Sequence, residues 1–190
     1  MNTVAVAVPN IPREDWPAHP RFRTQTLLLG SHANFRRVSR YLLDHAAREQ
    51  FVGLHSLFDR WIAAMRSHEA YEERKLYPYL EHRWQVSLNE ARTGHHELHA
   101  RADEVAEAFR SLARPADPSD PADPADPTDS TDGPTDNPVL RALQAHDRTL
   151  DAHLNVEEEA VIPLLIALDP QEFDRYYSSP LSMLIPPDRR

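Results

Sequence analysis

Residues 143–168 read LQAHDRTLDAHLNVEEEAVIPLLIAL. Within them Leu143, His146, Leu150, His153, Glu157, Ala160, Leu164 and Leu168 recur at intervals of three and four, the spacing that lines one face of a helix. The stripe is apolar except at His146, His153 and Glu157. A helix from about Pro138 to Leu168 is therefore predicted to carry imidazole and carboxylate groups into a protein core.

The same design recurs three times upstream. A first helix, from about Phe22 to Arg48, has Leu28, His32, Phe35, Val38 (or Ser39) and Leu42 on one stripe. A second, from about Gln50 to His82, aligns Leu54, Phe58, Trp61, Met65, His68, Glu72, Leu76 and Tyr79, and Pro78 is predicted to kink it or end its regular part. A third, from about Val86 to Ala113, aligns Leu88, Ala91, His95, Leu98, Ala102, Val105, Phe109 and Leu112. No stretch alternates like a strand. Four long amphipathic helices predict an all-α, up-down-up-down four-helix bundle over residues 22–168, with an N-terminal arm (1–21) and a C-terminal tail (169–190) outside it.

Between the third and fourth helices lies residues 115–138, PADPSDPADPADPTDSTDGPTDNP, with seven prolines, seven aspartates and no Lys, Arg or Glu. Proline fixes φ and withholds a donor, so an extended, solvated acidic linker is expected there. It supplies seven of the nine net negative charges, which leaves the rest of the chain near neutral. A basic footprint for nucleic acid is absent, and no apolar run approaches the ~20 residues of a membrane span. The opening MNTVAVAVPNIPRED lacks the basic start and apolar run of a secretion signal, so a soluble, cytoplasmic protein is expected. The lack of cysteine excludes disulfides, thiolate metal sites and a cysteine nucleophile. Four glycines, in no GxGxxG or GxxxxGK arrangement, exclude the usual phosphate-cradling loops.

The chemistry sits in the stripes. His68 and Glu72 are four apart, as are His95 and His99, and His153 and Glu157; His32 joins them from the first helix. Residues four apart share a helix face one turn apart, so each pair reaches toward one point of the interior. An ionised carboxylate left unpaired there costs several kcal/mol or is protonated. Two carboxylates among five imidazoles call for cations, and a sulfur-free donor set suits iron, zinc or manganese. Seven donors exceed one four-coordinate site and suffice for two metals if the carboxylates bridge. On the third helix His95 continues the apolar stripe, His99 lies beside it and His96 faces away.

His32; His68-x-x-x-Glu72 followed by Leu76-Tyr77-Pro78; His95-x-x-x-His99; and His153-Leu-Asn-Val-Glu157-Glu158 ending in Ile162-Pro163 resemble the hemerythrin-like, HHE cation-binding proteins. The resemblance covers about residues 22–168 apart from the linker. It implies a non-haem di-iron centre with an oxo or hydroxo bridge. One iron would take His95, His99 and His153, and the other His32 and His68, with an open position for dioxygen, peroxide or nitric oxide; Glu72 and Glu157 would bridge. Oxygen-carrying hemerythrins bear an aspartate five positions after the fourth-helix histidine, where this chain has Glu158. The stripe and the longer glutamate side chain favour Glu157, with Glu158 as runner-up. The Asp-Pro linker has no counterpart in the compact hemerythrin pattern.

His146 stands two turns before His153 on its stripe, as a candidate proton-relay group behind the ligands. Trp61 and Met65 are expected in the core, where they could also wall a gas-sized pocket. The ExxH pairs of ferritin-like di-iron proteins and the HExxH of zinc proteases do not occur. The expected roles are small-oxidant or gas binding for sensing, carriage or stress defence; a di-iron oxidase, oxygenase or peroxide-consuming oxidoreductase; or an iron-responsive interaction module.

Overall fold

The computed structural model describes residues 7–22, 27–113 and 137–178. The Asp-Pro segment, apart from Asn137 and Pro138, lies outside these residues, as do residues 179–190 of the tail. Among the described residues all regular structure is helical. A short 3-10 helix (Arg13–Ala18) is followed by α1 (Leu27–Ala47), α2 (Leu54–Tyr71), a π turn (Glu72–Leu76), α3 (Tyr77–Trp84), α4 (Asn89–Ala113), α5 (Pro138–Ile166) and α6 (Pro170–Ser178). No described helix is long and apolar enough to cross a membrane.

Helix α5 packs against α1 and α4, and α2 packs against α1 and α4, so the long segments close around a shared interior. Local chemistry sets where they begin. Gly53, at φ 73°, turns the chain into α2 in a conformation that costs glycine little. Asn137 caps α5 by accepting from the Leu140 N–H at 2.9 Å, while its amide donates to the Ala46 carbonyl at 2.9 Å. The start of α5 is thereby tied to the end of α1. Higher up, the Ser39 hydroxyl donates to Asp147, and Arg36 donates to Asp151, Asn155 and Glu158, so the two helices run in opposite senses.

The apolar interior falls into two blocks. One gathers Phe35, Phe58, Trp61, Met65, Leu98, Val105, Phe109, Leu143, Leu150 and Leu154; the other gathers Trp16, Leu28, Leu76, Tyr77, Leu80, Trp84, Val161, Ile162, Leu165 and Phe173. His32, His68, Glu72, His95, His153 and Glu157 lie at positions between the two blocks, whereas His146 falls within the first. The arm and tail contribute to the second block through Trp16 and Phe173. Arg21 fixes the end of the arm by donating to the Ile166 and Leu168 carbonyls.

The second segment departs from its expected stripe. Tyr79 is only half-buried, whereas Leu76, Tyr77, Leu80 and Trp84 are buried. The cause is the π turn. Pro78 has no N–H for the carbonyl of residue 74, and its ring would press on that carbonyl; a widened turn relieves both. Leu112, last on its expected stripe, is exposed in the final turn of α4.

Candidate metal centre

Between the apolar blocks, six side chains from four helical segments converge. His32, His68 and Glu72 form one trio and His95, His153 and Glu157 another, with the donor atoms of each trio within 4.8 Å of one another. The carboxylates link the trios. Glu72 turns Oε1 to Nε2 of His68 at 2.7 Å and of His32 at 3.9 Å, and Oε2 to Nε2 of His95 at 3.5 Å. Glu157 places Oε2 3.4 Å from Nε2 of His32 and 3.6 Å from Nε2 of His153. Its Oε1 is already engaged, accepting from the Tyr77 hydroxyl at 2.5 Å.

The donor set fits a cation. Nε2 of His32, His68 and His95, both oxygens of Glu72 and Oε2 of Glu157 are buried without a hydrogen-bond partner. Buried polar atoms are nearly always paired, because leaving one unpaired costs about 1–3 kcal/mol. Six such atoms facing one another have their natural partner in a metal. Two of the rings, those of His32 and His95, are held so that Nε2 stays free. Nδ1 of His32 lies 3.1 Å from Glu158, and Nδ1 of His95 lies 2.8 Å from Glu73. A carboxylate can only accept, so it fixes the proton on Nδ1 and leaves Nε2 for the metal.

Charge in the layer is divided unevenly. Burial works against ionising Glu72, yet the imidazoles of His32, His68 and His95 that face it hold its carboxyl well below the usual range. Burial and the Glu72 charge push Glu157 up to about 8. For His32 and His95 burial is outweighed by neighbouring carboxylates, Glu158 and Glu72 for the first and Glu72 and Glu73 for the second, and both rise to about 9. Burial, with the His95 charge, pushes His153 down to about 3.

One expected ligand is not brought into the layer. The resemblance gave His99 to the same iron as His95, but its side chain is 43% exposed and its Nε2 faces Glu69 Oε2 at 2.6 Å. His99 stands a full turn along α4 from His95, level with Glu69 and not with Glu72. Glu158, the runner-up to Glu157, lies behind His32, where Arg13 and Arg36 engage it. His146 is buried against Phe58 and Trp61 in the first apolar block, with neither ring nitrogen hydrogen-bonded, and burial pushes it down to about 4. Met65 borders the layer, whereas Trp61 belongs to the apolar block beneath it.

Spacing alone did not single out Glu69, Glu73 and Tyr77. Glu69 is buried beside His68 with Oε1 unpartnered, which makes it a further carboxylate within the layer's surroundings. It stands one position off the stripe, and that is why the periodicity passed over it. The Tyr-Pro dipeptide after Glu72 was the only signal for Tyr77.

The His153 ring lies against the α4 backbone at Gly94. A Cβ there would overlap Nδ1 and sit 3.0 Å from Cγ and 3.2 Å from Cε1. Alanine usually stabilises a helix interior by about 1 kcal/mol over glycine. Gly94→Ala is instead expected to turn His153 out of the layer and lower metal content, while Gly30→Ala, with open space around it, leaves metal content unchanged. Elemental analysis of the two variants side by side checks this.

A model of the hemerythrin HHE cation-binding domain matches residues 24–165. Neither a curated protein nor a solved structure matches the chain. The family match spans most of the sequence and all six converging donors, and on that basis the chain belongs to the hemerythrin HHE cation-binding family.

Proposed function

We propose that this is a non-haem di-iron protein that binds a small oxidant or gas, namely dioxygen, peroxide or nitric oxide, for sensing, carriage or oxidative and nitrosative defence in the cytoplasm. In this reading an up-down-up-down bundle holds one iron by His32, His68 and Glu72 and the other by His95, His153 and Glu157. Each trio is two histidines and one carboxylate, a set that suits iron and leaves coordination positions open. With ferrous iron held by these residues, the site would have electrons to give to an oxidant such as dioxygen or peroxide.

The observation that carries the reading is the space beside the donors. Phe35, Met65, Leu98, Leu150 and Leu154 join His68, Glu72, His153 and Glu157 around a cavity with a volume of about 10 Å3 for the centre of a water-sized sphere. That is room for about one water molecule. An organic substrate does not fit there, which favours small-ligand binding over an oxygenase acting at the metals. Tyr77 holds Glu157 by one oxygen and leaves the other for metal, while Glu158 and Glu73 hold the rings of His32 and His95.

Anaerobic loading of the full chain with ferrous ion, followed by elemental analysis and an optical titration with oxygen, tests this. About two irons per chain and a reversible charge-transfer band are expected. One zinc per chain, with no iron retained after loading, overturns the di-iron reading. Rapid irreversible oxidation with turnover favours the oxidase alternative.

A further inference from the structure

The chain from the arm to the layer is short and continuous. Arg13, in the 3-10 helix of the arm, donates to Oε2 of Glu158 at 2.6 Å. Oε1 of the same carboxylate accepts from Arg36 at 2.6 Å and faces Nδ1 of His32 at 3.1 Å. Glu158 is 1% exposed, so its orientation depends on these three partners. Burial alone would raise its pKa, but His32 and Arg36 overcome that and hold it at about 2, ionised.

Arg13 has little else to fix it. Its side chain is nearly half exposed, its guanidinium stacks over Trp16, and its second ion pair, to Glu159, is long at 3.8 Å. Trp16 anchors the same short helix in the second apolar block, and its indole N–H is tied to the Ile11 carbonyl at 2.9 Å. Between the arm and the bundle a cleft of about 500 Å3 remains open, bordered by Pro9, Ile11, Ser87, Ala160 and Pro163. The arm is therefore held at points and not along its length, and one of those points reaches a group that orients His32.

We propose that Arg13 and Glu158 are positioning residues for the metal centre, and that docking of the N-terminal arm and binding of metal at His32 are thermodynamically coupled through them. The proposal rests on the reading of His32 as a ligand. With the arm docked, Arg13 and Arg36 share Glu158 and aim its free lone pairs at Nδ1 of His32. With the arm released, Glu158 keeps only Arg36 and His32, both on Oε1, and is free to turn toward Arg36, which loosens the ring. Carboxylates behind a ligating histidine typically govern metal affinity by tenfold to a hundredfold. Coupling is reciprocal, so metal must strengthen arm docking by the factor by which docking strengthens metal binding.

The test uses the full chain and ferrous ion. Wild type, Arg13→Ala, Arg13→Lys, Glu158→Gln and the Arg13→Ala/Glu158→Gln double variant are compared for iron affinity by chelator competition, for iron absorption bands, and for protease cleavage within the arm with and without iron. Arg13→Ala is expected to weaken iron binding about tenfold, to shift the bands and to abolish the protection of the arm by iron; Arg13→Lys restores part of each. In the Glu158→Gln background, Arg13→Ala adds little, because the path is already cut. Equal affinity and bands in wild type and Arg13→Ala, or additive effects in the double variant, overturn the coupling. A wild type that binds no iron overturns the metal-centre reading itself, a separate result.

Discussion

Stripping metal from the loaded protein is expected to lower its melting temperature by on the order of ten degrees at about pH 7.5, and by much less in mild acid. The metal-free layer holds Glu72 and Glu157 together in the core, and keeping one of them protonated or ionising both there costs on the order of several kcal/mol. The pH dependence follows from the direction of each shift. His32 and His95, raised to about 9, contribute stability that is complete below pH 6.5 and is lost as pH rises through about 9. Glu157, raised to about 8, keeps its proton in the fold long after the unfolded chain has lost it, so stability falls further between the ordinary carboxyl range and about 8. Glu72, lowered, acts the other way only in stronger acid, and buried neutral His153 and His146 lose stability as pH falls below 6.5.

The metal-free protein should therefore be most stable near pH 6.5 and weaken toward pH 9. Metal binding strengthens over the same range, because the histidines must shed protons to ligate. Thermal melts of stripped and iron-loaded protein across pH would show the gap widening with pH. Equal melting temperatures at about pH 7.5 would mean that the layer does not bind metal within the fold.

Glu72→Ala should be the most damaging single change to metal content. Its two oxygens face different trios, Oε1 toward His32 and His68 and Oε2 toward His95, so one truncation strips a donor from both positions. We expect less than about a tenth of wild-type iron, against roughly half for a histidine serving one metal. Glu157→Ala should be nearly as severe, since it also leaves the buried Tyr77 hydroxyl without its acceptor. Glu158→Ala should retain both irons at affinity reduced about tenfold to a hundredfold. If Glu157→Ala keeps full iron while Glu158→Ala loses it, Glu158 is the ligand.

Much of this is legible in the sequence itself. Histidine and glutamate standing where leucine belongs, on four stripes at once, marked both the helical class and the polar layer, because amphipathic spacing reports which side chains face inward. Spacing reports direction but not height. His95 and His99 share a face, and only the packing of α2 against α4 shows that His95 is level with Glu73 and His99 with Glu69. Glu157 and Glu158 are adjacent, so the choice between ligand and ring-orienting group depended on arginines from α1 and the arm. Arg13 could not be read at all: nothing in a proline-rich arm indicates that one guanidinium reaches a carboxylate 145 positions away.

The widened turn at Glu72–Leu76 sets the angular phase between two halves of one rod. Upstream, His68 and Glu72 point at the polar layer; downstream, Tyr77, Leu80 and Trp84 point into the apolar block, and the Tyr77 hydroxyl returns to Glu157. Each residue of a regular helix advances about 100° around the axis. Excising the extra residue would swing everything after it by about that angle, carrying Tyr77 off Glu157 and Trp84 toward water. The interval from Glu72 to Tyr77 thus works like a count of gear teeth, whose number cannot change without turning half the rod out of mesh.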